Sequence, residues 1–406
     1  MKQIYPNSIT GKGAVHGGSV LDHKFGESDP YTLGVEEEYM LLDGETFDLV
    51  QHIDTVLQAI SGHELEPRIN AELMQSVIEI ATPVCRTAGD VQVELLKLRA
   101  YVTEVGREKG MRVGSAGTHP FSLFERQRIT ARDRYRNLVD QLQYIARREL
   151  IFGMHVHVAV DDPEKAIQVV NGLLPQLGPL LALSASSPFW RGEPTGLSSS
   201  RQMVFAAFPR SGPPPRFKDY ADYAEVVGQL ERTGCIADYT HIWWDIRLHP
   251  RLGTVEIRIC DAVTRVEDAT ALAAYCQALV KSLCERFEKG ESIPTYHRIL
   301  TTENKWLAAR YGLEAPVMDL GAGLRNRVPV AQIIRRTLKE IEPHARELGS
   351  DRELEGIGEI LGRGNGSDRQ LRVFNANRDI VEVVEEIAKA TEAVPAAAGS
   401  TAPPAA

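Results

Sequence analysis

Apolar and polar positions along the chain follow two rhythms. Residues 31–42 (YTLGVEEEYMLL) alternate, with Val, Tyr and Leu supplying the apolar positions, and this predicts a strand. A second short strand is expected at residues 76–80, a third in MRVGSAG (111–117), and a strongly alternating one in FGMHVHVAV (152–160). HIWWDIRLHPRLGTVEIRICDA (241–262) reads as two strands joined by a turn at Leu252 and Gly253. Between these segments the period lengthens to that of a helix. Thr87 with Asp90 three residues later resembles a capping box, and Val91, Leu95, Leu98 and Val102 follow at helical spacing up to Gly110. Thr130 is placed to cap a helix with Tyr135, Leu138, Leu142 and Ile145 on one face. Pro163 opens another that runs toward Ser184. The Gly/Pro/Ser-rich stretches SPFWRGEPTGLSSSR and FPRSGPPPRF are long enough for an active-site loop system. A long amphipathic helix is expected from Val266 to about Glu288, suited to a core or to the seam of a homodimer. Beyond about Ile293 every expected element is helical. The fold class is α+β.

The ends of the chain break this pattern. Residues 1–29 lack apolar periodicity and are expected to form a loose extension. Residues 393–406 (AVPAAAGSTAPPAA) are an Ala/Pro tail with nothing to bury, expected to be disordered. One catalytic domain over residues 30–392, helical from about 264, is the expected organisation. A chain of 406 residues with 43% hydrophobic and 25% charged positions can bury a full core without covalent staples. Its formal net charge of −9 opposes non-specific binding to nucleic acid or to anionic membranes, while leaving room for a local basic pocket. The five cysteines are scattered and never in a C-x-x-C, which reads as reduced thiols. The longest apolar run, near residues 173–183, is broken by Pro175, Gly178 and Pro179, too short to cross a bilayer. No signal peptide is visible, and the expected location is cytoplasmic.

Four constellations carry chemistry. In Gly34-Val35-Glu36-Glu37-Glu38-Tyr39, strand alternation points Glu36 and Glu38 the same way, about 7 Å apart. Two carboxylates held together in a core strand repel unless a divalent cation sits between them, although E-x-E alone also fits a solvated edge. Glu79 lies between Ile78 and Ile80, an unusual place for a free charge, and Glu72 precedes it at an odd spacing that one unbroken strand could not place on one face. His155 and His157 share a face of their strand. H-x-H often means metal but is as often structural, and His119 in GTHPF could join them in a three-histidine zinc site of a hydrolase. Glu256 and Arg258 share a face in GTVEIR, which ends at Asp261: a cross-strand ion pair, or a metal ligand beside an arginine that grips a phosphoryl group. Arg201, Arg247 and Arg251 could add positive charge. Ligation rich in carboxylate and free of thiolate points to Mg²⁺ or Mn²⁺. No P-loop signature occurs.

GVEEEY, the E-x6-E pair, GMHVHV, the SSSR segment and GTVEIR-x2-D, in this order, resemble the glutamate–cysteine ligase type 2 family, specifically YbdK-type carboxylate–amine ligases. The resemblance spans roughly residues 30–380. It implies a glutamine-synthetase-like catalytic fold, with a curved antiparallel sheet, flanking helices and a helical C-terminal third. Its concave face would hold ATP, divalent metal and an amino acid. It further implies Glu36, Glu38, Glu72, Glu79, His155 and Glu256 as metal ligands, with His157 in a neighbouring position. Arg258 would lie near the γ-phosphate and Arg201 near ATP or the substrate carboxylate, with Asn304 and Arg310 as weaker binding candidates. The implied reaction is ATP-dependent amide formation through an acyl phosphate, with glutamate and cysteine, or another amine, giving γ-glutamylcysteine, ADP and phosphate. The alternatives are the zinc hydrolase on His119, His155 and His157, and a non-catalytic nucleotide or amino-acid sensor on the same scaffold.

Overall fold

The computed structural model describes residues 21–294, 296–321 and 326–392. Its centre is a seven-stranded sheet: β1 (Leu33–Asp43), β2 (Ile69–Ala71), β3 (Val77–Ala81), β4 (Met111–Gly114), β5 (Met154–Ala159), β6 (Ile246–His249) and β7 (Thr254–Ile257). The spatial order is β6-β7-β5-β1-β3-β2, with β4 alongside the C-terminal half of β1. Every pairing in it is antiparallel.

Alternation on β1 decides which residues enter the core. Leu33, Val35, Glu37, Tyr39 and Leu41 are buried on one face, while Glu36 and Glu38 look out from the other. The apolar face packs against the helices Ala88–Glu108 and Val266–Glu288. The first of these helices starts as its sequence predicts, with both bonds of the Thr87–Asp90 capping box formed. The second is buried almost all round over its first four turns, where Ala269, Ala271, Ala273, Ala274 and Ala278 let neighbouring helices approach closely. Those turns are a core element of this chain.

Several expectations shift. The helix after Thr130 begins at Asp133, and Thr130 instead donates its hydroxyl to the Glu72 carbonyl. The prolines near residue 175 do not stop the helical run: Pro163–Leu173, a 3-10 turn and Leu177–Ser184 follow one another. Among the described residues this stretch, Pro163–Ser184, is long and apolar enough to cross a membrane, with mean hydropathy 1.4, and 72% of its most apolar window is buried inside the fold. The C-terminal third is not wholly helical. A small hairpin pairs Pro316–Met318 with Arg327–Pro329, strands too short to show alternation.

Residues 21–29, expected to be loose, are seated on the β6–β7 turn. Phe25 is buried, and Lys24 donates its N–H to the Pro250 carbonyl. Gly253 makes this possible: its φ is +67°, and a Cβ there would lie 2.4 Å from the Lys24 carbonyl oxygen. Residues 1–20 and the tail 393–406 lie outside the described residues. The cysteines carry no disulfide; Cys85, Cys260, Cys276 and Cys284 are buried thiols and Cys235 is exposed.

Candidate active site

Cross-strand register gathers the polar face into one constellation. Glu36 sits opposite His155, Glu38 opposite Glu79, Glu256 opposite His157, and Arg247 opposite Glu256. Each pair shares a face because partners in an antiparallel ladder point the same way. Glu72 follows β2 directly, and the short β2–β3 connection folds it back beside Glu79. The odd spacing therefore poses no obstacle, because Glu72 lies in the connection after β2 and only Glu79 is on a strand, β3. All these side chains, with Arg201 and Arg258, line a single cavity of about 470 Å³.

Within that cavity the side chains fall into two triads, one of three carboxylates and one of two carboxylates and an imidazole. Ligand atoms of Glu38, Glu72 and Glu79 lie within 4.8 Å of one another, and so do those of Glu36, His157 and Glu256. His155 adjoins the second group, its Nδ1 3.1 Å from Glu36 Oε2 and 4.0 Å from Glu256 Oε1. His157 makes its Nδ1 contact with Thr254 Oγ1 at 3.0 Å, which leaves Nε2 facing Glu36 Oε1 at 3.5 Å and Glu256 Oε1 at 3.8 Å. That Nε2 is buried and has no hydrogen-bond partner. His155 is the nearer of the two to Glu36, and His157 is the one that offers an unpartnered nitrogen within the cluster.

The two triads differ in charge balance. Burial pushes the Glu256 carboxyl up, but Arg247 and Arg258 overturn this and hold it well below the usual range. Arg247 grips it with two bonds of 2.8 and 3.1 Å, and Arg258 Nη1 contacts the same carboxylate. Burial likewise opposes ionisation of Glu36, and His157 and His155 outweigh it. The other triad has no such cations bonded to it. Burial and Glu72 raise Glu38 to about 7, and burial with Glu36, Glu72 and Glu38 raises Glu79 well above its ordinary value. Three carboxylates this close must carry protons or a cation. An all-oxygen triad beside a second one with an orphaned imidazole nitrogen suits a pair of hard divalent ions of the Mg²⁺ or Mn²⁺ kind.

Buried groups behind the sheet hold the array in place. Glu37, between the two cavity-facing glutamates, receives Arg99 Nε at 3.0 Å and Nη2 at 2.5 Å, together with the Tyr39 hydroxyl. Arg99 also donates to the carbonyls of Val263 and Thr264, linking β1 to the segment that follows β7. Gly153 N–H donates to Glu38 Oε2 at 2.5 Å, and a Cβ at Gly153 would meet Arg201 Nη2 at 2.5 Å. Asp261 is wholly buried and accepts from Ser186 N–H, Ser187 Oγ and Ser199 Oγ. Ser199 in turn caps the short helix Ser200–Phe205 that carries Arg201 into the cavity wall. The SSSR segment and Asp261 are therefore one bracket.

Other candidates stand elsewhere. His119 is not part of the cavity lining. Its Nε2 contacts the Phe47 carbonyl at 2.9 Å and its Nδ1 accepts from the N–H groups of Phe121 and Ser122. With Nδ1 used in its own turn and Nε2 on the distant Phe47 carbonyl, His119 does not join His155 and His157 in a three-histidine site. Arg251 lies on the surface near Asp238, and Arg310 donates to the Gly196 carbonyl. Asn304 is buried, bonding the carbonyl and N–H of Met318, and so supports the small hairpin. Conversely, Arg132, Arg134, Tyr135, Glu149 and Trp243 line the cavity and carry no sequence signal, because charged residues in RDR and RREL read as solvated helix ends.

The model of glutamate-cysteine ligase family 2 matches residues 32–389. The chain belongs to that family. A relative in Rubrobacter xylanophilus is 43% identical over 381 residues, covering 93% of this chain and 99% of its own, and bears the provisional name glutamate–cysteine ligase 2-1. One in Sorangium cellulosum, provisionally glutamate–cysteine ligase 2, is 42% identical over 358 residues, 88% of this chain and 95% of its own. Membership makes the protein a ligase. Among solved structures, the glutamate–cysteine ligase of Francisella tularensis in complex with AMP superposes with a TM-score of 0.64 at 13% identity, covering 91% of this chain and 90% of that one. A bifunctional glutathione synthetase from Pasteurella multocida gives 0.62 at 14% identity, covering 89% of this chain and 51% of the other. These two likenesses establish the family-2 chain's α+β fold, with its antiparallel sheet and flanking helices.

Proposed function

We propose that this family-2 ligase joins a carboxylate to an amine at the expense of ATP, with glutamate and cysteine as its first candidate substrates. The observation that carries the reading is the carboxylate triad Glu38, Glu72 and Glu79 beside the triad Glu36, His157 and Glu256 in one cavity, with Arg258 in its lining. The relatives' names support the substrates, and the AMP-bound neighbour supports a nucleotide.

A carboxylate cannot acylate an amine directly, because the leaving group would be oxide. Attack of a carboxylate oxygen on the γ-phosphorus of ATP forms a carbon–oxygen–phosphorus link and releases ADP. The amine nitrogen then attacks the acyl carbon, phosphate leaves with the bonding pair, and the amine proton goes to solvent. Most of the catalytic effort lies in bringing anions together. Arg258 is held by Glu256 with its guanidinium at the cavity, where it can stabilise the phosphoryl oxygens during transfer. Arg201, aimed by the Asp261 bracket, is placed to receive a substrate carboxylate. Burial with Arg258 brings His155 down to about 4, so at neutral pH it is an uncharged imidazole that adds no positive charge to the cluster. Glu38, Glu72 and Glu79 would hold one divalent ion, and Glu36, Glu256 and the paired histidines another. Bound there, the ions would neutralise phosphate charge.

The test is to mix the protein with Mg-ATP, glutamate and a panel of amines including cysteine, and follow ADP. The reading expects ADP in step with amide, only when acid and amine are both present. ATP-independent hydrolysis, or nucleotide binding without turnover for every amine, would overturn it.

A further inference from the structure

Away from the catalytic cavity, a second cavity of about 340 Å³ is lined by Arg265, Arg363, Arg369, Arg372 and Val373. Arg265 immediately precedes the helix Val266–Glu288. Arg363 ends the helix Gly356–Arg363, and Arg369 and Arg372 lie three residues apart on the helix Gly366–Asn377. Three separate elements therefore point guanidiniums at one place.

The carboxylates at hand do not balance them. Asp268 is buried, paired with Arg363 and 3.5 Å from Arg369 Nη2, so one charge serves two. Glu267 meets Arg265 at 3.4 Å, on a side chain that is 39% exposed. Asp368 is committed to the capping box of its own helix through Asn365. Arg372 donates only to carbonyl oxygens, of Asp368 and Arg363. Arg363 Nε and Arg369 Nη2 are buried with no hydrogen-bond partner.

An arginine cannot relieve such crowding by losing its proton at physiological pH. Burial, followed by Arg363 and Arg265, lowers the Arg369 pKa even though Asp268 opposes this. We infer that the arginine cavity is a binding site for a small phosphate-bearing anion, distinct from the catalytic cavity. Guanidinium forks from three directions match the oxygens of a tetrahedral phosphate, and Val373 adds one apolar wall against which a short organic portion can rest. The volume is adequate for pyrophosphate or a small phosphate ester.

Occupancy would have a mechanical effect. Next to Arg369, Gln370 donates to the Ser186 carbonyl at 2.8 Å, and Ser186 N–H donates to Asp261, the centre of the bracket that aims Arg201. An anion that ties Arg265 to Arg369 and Arg372 therefore braces the helix resting on that bracket.

The test is titration calorimetry of the full chain with inorganic pyrophosphate, without divalent cations, at low and at moderate salt. The variants are Arg265→Gln with Arg372→Gln, which leave both Asp268 pairs intact, Val373→Asp, which adds a carboxylate to the wall, and Arg258→Gln in the catalytic cavity. The expected result is one binding event that persists in Arg258→Gln and weakens by roughly tenfold or more in each arginine-cavity variant, as loss of charge-assisted hydrogen bonds requires. Val373→Asp keeps the test decisive if the double variant does not fold. Unchanged binding in the folded arginine-cavity variants, or binding abolished by Arg258→Gln alone, would overturn the assignment, as would no binding to the wild-type chain.

Discussion

Replacing Glu37 by Gln should cost stability out of proportion to a change of one atom. The side chain is wholly buried, and Arg99, 4% exposed, gives it two charge-assisted hydrogen bonds. A glutamine retains one acceptor oxygen and places an N–H₂ against the guanidinium, so Arg99 becomes a buried cation with no counter-charge from Glu37, compensated only by neutral oxygens, those of the glutamine, Val263 and Thr264. Breaking a buried pair from one side costs about 3–5 kcal/mol. With an unfolding entropy of about 2.1 cal/mol/K per residue, a chain of 406 residues has roughly 0.85 kcal/mol/K at the midpoint, so the expected fall in Tm is about 4–6 °C. Scanning calorimetry measures it. The double variant Glu37→Leu with Arg99→Met removes both charges together and should recover most of the loss, because no uncompensated ion remains. Since β1 also carries Glu36 and Glu38 on its opposite face, Glu37→Gln should additionally raise the Mg²⁺ concentration needed for ADP release. A melting point within 1 °C of wild type would mean that the pair is not buried in solution and that β1 is positioned by something else.

Three further outcomes follow from the cavity. Glu79→Gln removes a carboxyl whose charged form is disfavoured by burial and by three neighbouring glutamates, so the metal-free protein should melt at or above the wild-type temperature while ADP formation falls by roughly 10²-fold or more; a less stable yet active variant would contradict the triad. For pH, burial lifts Glu149 to about 8, and burial with Glu72 lifts Glu38 to about 7, so at these two carboxyls the folded state holds more protons than the unfolded chain up to pH 7–8, above the range in which the buried histidines His119, His155 and His249, lowered to about 4, act in the opposite sense. Stability without metal must then decline as pH rises through 7–8, and melting at pH 8.5 should fall about 1–3 °C below that at pH 6.5, with added Mg²⁺ closing the gap; a flat profile rejects the shifts. Arg258→Lys keeps the charge but loses the fork that engages Glu256 and, in the proposed reaction, phosphoryl oxygens, so kcat should drop at least tenfold with little change in Tm. Wild-type turnover in this variant would remove Arg258 from the chemistry.

Much of the site was legible because strand alternation is a strong local signal. In GVEEEY and GMHVHV the parity of each residue already separates cavity from core, and pairing only had to bring the strands together. What could not be read depends on contacts between distant segments. Glu72 and Glu79 looked incompatible until the connection after β2 carried Glu72 back beside Glu79 on β3. His119 looked like a ligand because its backbone partners at Phe47, Phe121 and Ser122 leave no mark in the sequence. Thr130 failed as a cap because the Glu72 carbonyl competes for its hydroxyl. Residues 21–29 have little apolar periodicity, yet one phenylalanine and the space left by Gly253 suffice to anchor them. Glu149, Arg132 and Arg134 sit in ordinary charged helix flanks, and only tertiary folding turns them inward.

The three consecutive glutamates of β1 set a limit on how this protein can change. Deleting or inserting one residue just before Glu36 would exchange their duties, pushing two acids into the oily interior and turning the arginine's mate toward solvent. Loops of this enzyme can lengthen or shrink over evolutionary time, but that first strand must keep its count.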